Sequence, residues 1–461
     1  MSNHDELKGK LRGEVILPGD GSYDEARKLY NAMIDKRPGV IARCVDAADV
    51  MACVNYARDS RLPLAVRGGG HSGPGLGSCD GGLVIDLSRM RGVRVDSQAR
   101  TARVAGGCVW GDVDHATHAF GQAVPCGFIS STGVGGLTLG GGLGYLSRSC
   151  GLTIDNLLSA DVVLADGSVV TADDQQHADL FWALRGGGGN FGVVTSFLFR
   201  THPVHTVTAG PIFWPVEDAP EIMRRFEEFI TDAPEEINGF FAFLVVPPVP
   251  LFPAELHMRT VCGIVWCSRA DPARTDELLK PLAAWPKPLL RGVGPMPFPV
   301  LQSLFDGLYG PGLQWYWKTD FVDRLTDAAI SEHMKHGPHL PSLFSTMHLY
   351  PINGAVHRKN GGDTAFSYRG TKFAEVIVGV DPDPANRDKI AGWARSYWEA
   401  VHPHAAPGAY VNFMMDEGAG RVEATYGDNY ARLRQVKARY DPANLFRVNQ
   451  NIAPATAATA D

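Results

Sequence analysis

Glycine clusters in the N-terminal half of the chain are the residues best placed to do chemistry. The first cluster, Arg67-Gly-Gly-Gly-His-Ser72, directly follows a predicted strand at 62–66. Three successive residues without a Cβ let backbone N–H groups turn inward and approach an anion closely. The cluster therefore predicts a binding site for a phosphate-bearing ligand.

The second cluster runs from Ser130 to Gly144 and adds hydroxyl donors at Ser130, Ser131 and Thr132 to further glycine backbone. Two flexible surface turns are the alternative interpretation of the two clusters. Both clusters adjoin predicted strands, which favours loops that hold a ligand. We expect the two loops to line one phosphate site.

A third cluster, Gly187-x-Gly189-x-x-Gly192, has the spacing of the dinucleotide-binding fingerprint. In that fingerprint a strand precedes the glycines and a helix follows them, so that the pyrophosphate meets a helix N-terminus. Here a predicted helix at 179–184 comes first and a predicted strand at 193–199 follows. This order disfavours a Rossmann fold.

Short strands and helices alternate around these clusters, as in an α+β protein. Asp46 is a predicted N-cap for a helix that continues to Arg58, and a hairpin is predicted about Asp166-Gly167. Beyond Pro203 the glycine clusters cease, and aromatic residues, prolines and amphipathic helices dominate. In a chain of 461 residues this change of composition predicts a domain boundary. Further strands are predicted at 39–44, 83–87, 93–95, 101–104, 160–164 and 168–171, and a further helix at 109–119.

The bulk composition excludes several classes of partner. A net charge of −7 gives no electrostatic reason to expect nucleic acid or an anionic membrane as a partner. The polar N-terminus lacks the apolar run of a secretion signal, so we expect a cytoplasmic protein with eight reduced cysteines. Neither His115 with His118 nor His402 with His404 has acidic or thiol neighbours at ligand spacing, so no metal site is predicted. Oligomeric state is not readable from the sequence.

Several segments of the chain resemble FAD-linked oxidases of the berberine-bridge, vanillyl-alcohol-oxidase type. Their order and spacing match along nearly the whole chain, and the match is weakest at about 210–400, where the substrate is chosen. The segments are Val66–Ser72, Thr132–Gly142, Gly151–Asn156, Asp179–Gly192, Tyr410–Asn412 and the C-terminal run from Tyr440 through Asn449.

The resemblance implies a two-domain α+β fold of the vanillyl-alcohol-oxidase (PCMH) type. Residues 38–205, with 441–461 returning to them, would bind FAD, and 206–440 would form an antiparallel-sheet domain that binds a small-molecule substrate. In the family, the histidine at the position of His71 bonds to the flavin. A neutral imidazole has the required nucleophilic lone pair, and its ordinary pKa near 6.5 keeps it neutral at pH 7. The residues matched to FAD contacts are Arg67, Gly68, Gly69, Gly70, His71, Ser72, Ser130, Ser131, Thr132, Gly135, Gly136, Leu137, Gly141, Gly144, Val194, Asn412 and Asn449.

A second flavin bond, found in many relatives, is not expected in this chain. In those relatives a cysteine lies four residues before the Gly-x-Gly-Gly motif, and this chain has Ile129 there. Cys126 lies three residues further upstream, and attachment through it would require both reach and an activated thiolate. A single bond through His71 is therefore predicted.

The implied reaction is removal of hydride from a C–H beside an alcohol, a saccharide hydroxyl or an amine, with oxygen reduced to hydrogen peroxide. A dehydrogenase with another electron acceptor and a catalytically silent flavin-binding protein are the alternatives. Tyr410 and Glu375 are the candidates for handling the proton. Trp315 and Trp317 share one face of a predicted strand and could line the substrate pocket, although packing between the domains would use them equally well.

Overall fold

The computed structural model describes residues 3–456, so residues 457–461 of the predicted FAD-binding region lie outside the described residues. The first sheet has the order β1-β2-β4-β3, in which the last three strands are parallel. Its helix α3 begins at the predicted cap, because the Asp46 carboxylate accepts a 3.0 Å hydrogen bond from the Asp49 N–H. These elements are β1 (Glu14–Ile16), β2 (Val40–Arg43), β3 (Leu64–Arg67), β4 (Leu83–Asp86), α1 (Asn3–Lys10), α2 (Tyr23–Ala26) and α3 (Ala47–Asp59).

The second sheet is antiparallel, with the order β5-β6-β10-β8-β9. The predicted hairpin about Asp166-Gly167 joins β8 to β9, which confirms that prediction. The helix before Gly187–Gly192 and the strand after it are also present, as the non-Rossmann interpretation requires. The elements are β5 (Val93–Asp96), β6 (Thr101–Ala105), β7 (Gln122–Ala123), β8 (Leu157–Val163), β9 (Val169–Asp173), β10 (Val193–Arg200), β11 (His202–Pro203), α4 (Trp110–His118), α5 (Val134–Leu139), α6 (Ser147–Cys150) and α7 (Ala178–Leu184).

An eight-stranded antiparallel sheet follows, with the order β15-β12-β14-β13-β18-β19-β17 and β16 paired to β12. Side chains alternate between its two faces, and helices α8, α11 and α12 pack on one face. The strands are β12 (Thr206–Pro215), β13 (Ile237–Val245), β14 (Thr260–Ser268), β15 (Leu290–Arg291), β16 (Gly294–Pro297), β17 (Gln314–Val322), β18 (Thr346–Pro351) and β19 (Phe373–Asp381). The helices are α8 (Ala219–Asp232), α9 (Pro272–Leu278), α10 (Phe298–Gln302), α11 (Asp327–His336) and α12 (Arg387–Val401).

The C-terminal segment returns to the glycine-rich half of the molecule. It includes α13 (Ala419–Tyr426) and α14 (Tyr430–Tyr440), and α14 packs on α7. The Tyr410 hydroxyl accepts hydrogen bonds from the 142–143 backbone, so contacts to that half are present before the predicted return at 441. At the other end, before residue 38, β1 adds an edge strand to the first sheet, α1 packs on α3 and α2 packs on the sheet. Residues on both sides of 38 and of 441 therefore pack together.

A buried ion pair holds this returning segment. The Lys437 ammonium lies 2.7 Å from the Asp441 carboxylate and 2.7 Å from the Asn190 carbonyl oxygen, and both charged side chains are fully buried. The Asp441 carboxylate also accepts from the N–H groups of Leu445 and Phe446. One cation thus joins α14, the residues after it and the third glycine cluster.

Replacing this cation tests how strongly the segment is held. We expect Lys437→Met to lower the free energy of unfolding by about 3–5 kcal/mol, because it leaves the Asp441 charge buried without its partner. Urea denaturation followed by tryptophan fluorescence measures the change. Lys335→Met removes an exposed partner of Glu332 and serves as the control. A loss below about 1 kcal/mol in the first variant would show that the pair does not hold the segment.

Candidate active site

A cavity of about 650 Å³ lies between the glycine loops and one face of the eight-stranded sheet. That face is the one opposite the helices, because Val376 and Val378 line the cavity while Ile377 packs in the helix-facing core. The three glycine clusters and the C-terminal segment complete the lining. Elements far apart in the sequence thus converge on one enclosed space.

Two glycine loops touch each other beside this cavity. A Cβ added at Gly69 would lie 2.4 Å from the backbone N of Gly133, and one added at Gly133 would lie 2.3 Å from the N of Gly69. Real side chains do not tolerate such distances, so the contact requires glycine on both loops. We call the segments 68–72 and 133–136 together the glycine cradle.

The glycine cradle presents free donors to the cavity. Within the part of the chain that the structure describes, none of the five N–H groups of residues 68–72 has an acceptor, and those of Gly133, Gly135 and Gly136 have none either. The nearby Arg67 guanidinium is unavailable, because it bonds to the Asp86 carboxylate at 2.7 Å. Unpaired N–H groups around glycine backbone fit the phosphate oxygens of a dinucleotide.

His71 lies at the edge of the cradle and faces the cavity. Its ring stacks on Tyr30 at 3.8 Å, and its Nε2 lies 3.1 Å from the Ser131 hydroxyl. Burial lowers the pKa of His71 to about 4, so the imidazole is neutral at pH 7. Nδ1 has no hydrogen-bond partner among the described residues and keeps a free lone pair when Nε2 carries the proton. The motif search missed Tyr30, since no local pattern marks it.

Most of the predicted cofactor contacts line the cavity, and four do not. Ser130 bonds through its hydroxyl to Asp306, and the Ser131 hydroxyl lies 3.1 Å from the His71 Nε2. Gly144 packs against the Cys126 carbonyl, and Gly141 packs against the rings of Phe366 and Tyr410. These four residues therefore contact the protein, and direct contact between them and FAD stays a prediction. Those that line the cavity are Arg67, Gly68, Gly69, Gly70, His71, Ser72, Thr132, Gly135, Gly136, Leu137, Val194, Asn412 and Asn449.

Two asparagine side chains fix glycine backbone near the cavity. The Asn412 amide donates to the Leu137 carbonyl at 3.0 Å, and the Asn449 amide donates to the Gly189 carbonyl at 2.9 Å. Gln450, which the sequence analysis missed, also lines the cavity and donates to the Met415 carbonyl. All three use their N–H groups on the protein itself.

The Tyr410 hydroxyl is engaged by the protein. It accepts hydrogen bonds from the N–H groups of Gly142 at 3.0 Å and Leu143 at 3.2 Å, and from the Asn412 amide at 2.9 Å. Burial raises the pKa of Tyr410, and the three donors oppose that rise because they stabilise the phenolate. The hydrogen bonds show that Tyr410 holds the glycine loop beside the cavity, and its proton-handling role stays a prediction.

Glu375 lies on the wrong face of the sheet for the predicted catalytic role. It precedes Val376, which lines the cavity, so its own side chain points toward the helices. There it is buried opposite Asp320 on β17, and burial raises the pKa of the Glu375 carboxyl well above its usual value. A one-residue difference in register moves a strand side chain to the other face, and this prediction is therefore corrected.

Cys126 does not line the cavity. Its thiol is buried and accepts a 2.7 Å hydrogen bond from the Gln302 amide. Burial raises the pKa of the thiol well above its usual value, which disfavours a reactive thiolate. The eight cysteines are all free.

Aromatic rings and one hydrogen-bonded pair form the remaining lining. Trp315 and Trp317 both face the cavity, as the strand alternation predicts. His348 and Tyr350 face it from β18, and the His348 Nδ1 lies 2.5 Å from the Tyr350 hydroxyl. The sequence analysis assigned no role to His348 and did not identify Tyr350, although two polar residues at i and i+2 on one strand share a face.

Among residues 3–456, no group of three or more His, Cys, Asp or Glu side chains is arranged to hold a metal ion. The same residues include no helix with the length and apolar character needed to cross a bilayer.

Comparison with known proteins places these features in two conserved family segments. The FAD binding domain family matches residues 38–173, which contain His71 and the whole glycine cradle. The berberine and berberine-like family matches residues 409–453, which contain Tyr410, Asn412 and Asn449. The two matches thus cover both sides of the cofactor part of the cavity.

Whole-length relatives agree with these matches. (R)-6-hydroxynicotine oxidase of Paenarthrobacter nicotinovorans is 40% identical, over 96% of this chain and 97% of its own length. An FAD-linked oxidoreductase of Bacillus subtilis is 30% identical, over 97% of this chain and 98% of its own length. The structure of a chitooligosaccharide oxidase superposes with a TM-score of 0.86 at 25% identity, over 99% of this chain and all of that one.

The contact between the loops generates a prediction for Gly69. We expect Gly69→Ala to lower the free energy of unfolding by about 1–3 kcal/mol and to reduce the FAD content, because the new methyl group forces the loops apart. Thermal unfolding and the flavin absorbance of the purified protein measure the two effects. Gly92→Ala is the control, since a Cβ there meets nothing within 4 Å. Unchanged FAD content in Gly69→Ala would contradict the role of the contact.

Tyr410 generates a second prediction. We expect Tyr410→Phe to lower the free energy of unfolding by roughly 1–3 kcal/mol, because buried N–H groups lose their acceptor. Tyr316→Phe, which removes a hydroxyl at the surface, is the control. Full stability combined with a large loss of the substrate oxidation rate would instead support the predicted catalytic role alone.

Proposed function

The chain belongs to the berberine-bridge-type family of FAD-linked oxidoreductases, and we propose that it is an oxidase that holds FAD covalently through His71. Bound FAD supplies the two-electron acceptor for hydride from a C–H beside an alcohol, a saccharide hydroxyl or an amine. Molecular oxygen is the proposed final acceptor, with hydrogen peroxide as the product. The observation that carries the proposal is the position of a neutral histidine at the edge of the glycine cradle.

Three features of His71 support the attachment. Its ring is held between Tyr30 and Ser131, which restricts its orientation. With its proton on Nε2 and directed to the Ser131 hydroxyl, Nδ1 is the nucleophilic nitrogen. Burial lowers the pKa of the ring, so that this nitrogen is not protonated at neutral pH. The proposed bond therefore forms at Nδ1.

A single attachment is supported by the surroundings of Cys126. The thiol lies outside the cavity lining, and the neighbouring residues that line it, Gly127, Phe128 and Ile129, carry no nucleophile. Attachment through Cys126 would require the chain at 126–129 to reorganise and a buried thiol to ionise.

Oxidase activity is supported by the relatives. Two of those described above are named as oxidases, one of 6-hydroxynicotine and one of a chitooligosaccharide. Their substrates belong to different chemical classes. The relatives therefore support the redox chemistry but do not indicate the substrate of this chain. The shared feature is the cofactor site, which this chain keeps.

Acid denaturation followed by peptide mapping tests the attachment. We expect one FAD on the peptide that contains His71, bonded to the Nδ1 atom of that histidine. We expect His71→Ala to lose all acid-stable flavin, while Cys126→Ala and the control His115→Ala, an exposed residue, retain it. Flavin on Cys126, or flavin that washes away from the unmodified protein, would contradict the proposal.

The acceptor is tested separately with a substrate that bleaches the flavin. Under air we expect about one hydrogen peroxide for each molecule oxidised, because oxygen takes both electrons. Turnover with a quinone or dye and no peroxide would assign a dehydrogenase instead.

A further inference from the structure

We infer that the substrate is an uncharged alcohol with a planar, apolar body, and that its reacting hydroxyl hydrogen-bonds the His348–Tyr350 pair. This inference rests on the proposed function and narrows its substrate class. It comes from the charge, the ring arrangement and the hydrogen bonds of the cavity lining.

The cavity lining offers no charge to a substrate. Arg67 is the only Lys, Arg, Asp or Glu among the described residues that line it, and its guanidinium is paired with Asp86. A cationic amine would therefore be buried without a counter-charge, which is strongly unfavourable. A carboxylate would meet the same penalty.

Aromatic rings define the shape of the substrate part. Phe128 stacks on Tyr350 at 4.3 Å, and Phe240 contacts both His348 at 5.1 Å and Tyr350 at 5.0 Å. Trp317 and Phe413 add further ring faces. Such a lining suits a flat apolar body. The described side chains that line the cavity with a buried and unpaired N–H or O–H are those of Trp315, Trp317 and Tyr426. A saccharide has more hydroxyls than these three groups can pair, and each buried unpaired hydroxyl is costly.

The hydrogen bonds of His348 have a fixed direction. The Thr346 hydroxyl donates its one proton to the Phe243 carbonyl at 2.7 Å, so its oxygen accepts from the His348 Nε2–H at 2.9 Å. The His348 Nδ1 then has no proton and accepts from the Tyr350 O–H. Burial lowers the pKa of His348 to about 3, so the ring is neutral. The Phe243 carbonyl on β13 therefore fixes the donor–acceptor direction of the hydrogen bonds from Tyr350 through His348 to Thr346.

This donor–acceptor direction allows the His348–Tyr350 pair to take up a proton from the substrate. The Tyr350 oxygen accepts the proton of the substrate hydroxyl while its own proton passes to the His348 Nδ1. The O–H bond of the alcohol thus breaks as a proton, and the adjacent C–H bond breaks with its electron pair, which goes to the two-electron acceptor. The alcohol becomes a carbonyl compound. Burial disfavours the imidazolium, so His348 holds the proton only during the transfer and returns it through Tyr350 to water as the product leaves.

Anaerobic mixing with matched compounds tests the substrate class. We expect 4-methylbenzyl alcohol to bleach the flavin at least about 100-fold faster than 4-(hydroxymethyl)benzoate, which differs by one carboxylate. Benzylamine and cellobiose represent the amine and saccharide classes, and we expect neither to bleach the flavin at a comparable rate. Bleaching by benzylamine or cellobiose, with the benzylic alcohol inert, would overturn the inference and leave the proposed function standing. Protein that binds no flavin would contradict the proposed function itself.

Variants test the role of the pair. We expect Tyr350→Phe to slow flavin bleaching about 100-fold or more, as loss of a proton acceptor does, while substrate binding weakens less than about tenfold. Tyr397→Phe is the matched control, because that buried hydroxyl lies 2.8 Å from the His333 Nδ1 outside the cavity lining. A rate in Tyr350→Phe equal to the control would overturn the role of the pair.

A readout independent of activity tests the direction of the bonds. In the 15N NMR spectrum of histidine-labelled protein, with His348→Gln to assign the signal, we expect His348 to carry its proton on Nε2. Thr346→Val should remove the acceptor and mix the two tautomers, whereas Thr319→Val, a buried threonine outside the cavity lining, should not. A proton on Nδ1 in the unmodified protein would overturn the proposed proton path.

Discussion

The close contact between two glycine loops is the constraint on which the rest of the site depends. The backbones meet at Gly69 and Gly133 with no room for a methyl group on either. Because these N–H groups lie on the loop at 68–72 and at the N-terminal end of α5, where no carbonyl precedes them in a helix or strand, eight of them stay unpaired beside one cavity. The same contact brings Ser131 of one loop to His71 of the other. The position of the free N–H groups and the orientation of the His71 ring therefore come from a single packing contact.

The large sheet divides two tasks between its faces. One face packs against α8, α11 and α12 and supplies stability, while the other covers the cavity with aromatic side chains. The alternation along β18 and β19 thus determines which polar side chains meet a ligand. His348 and Tyr350 face it, whereas the buried Glu375 faces the helices. The C-terminal segment completes the site, since Tyr410 accepts hydrogen bonds from the glycine loop and Lys437 joins the segment to the third cluster.

Local patterns allowed much of this architecture to be predicted. The glycine clusters and the helix cap at Asp46 depend on a few adjacent residues, and the order of helix and strand around Gly187–Gly192 correctly disfavoured a Rossmann fold. The features that local patterns could not show concern partners distant in the sequence. Tyr410 is held by a loop more than 260 residues away, and a one-residue register decides the face of Glu375. No local sequence pattern marks Tyr30. The direction of the hydrogen bond between His348 and Tyr350 depends on Thr346 and on a carbonyl of β13, which the sequence does not place nearby.

Hydrogen–deuterium exchange of the backbone tests the central claim, that the free N–H groups of the glycine cradle bind the cofactor. The comparison is between FAD-loaded protein and flavin-free protein produced under riboflavin limitation. The account predicts slower exchange on loading at residues 68–72 and 133–136, because their amides gain acceptors. Equal exchange at these residues in both forms, with protection gained elsewhere, would contradict it.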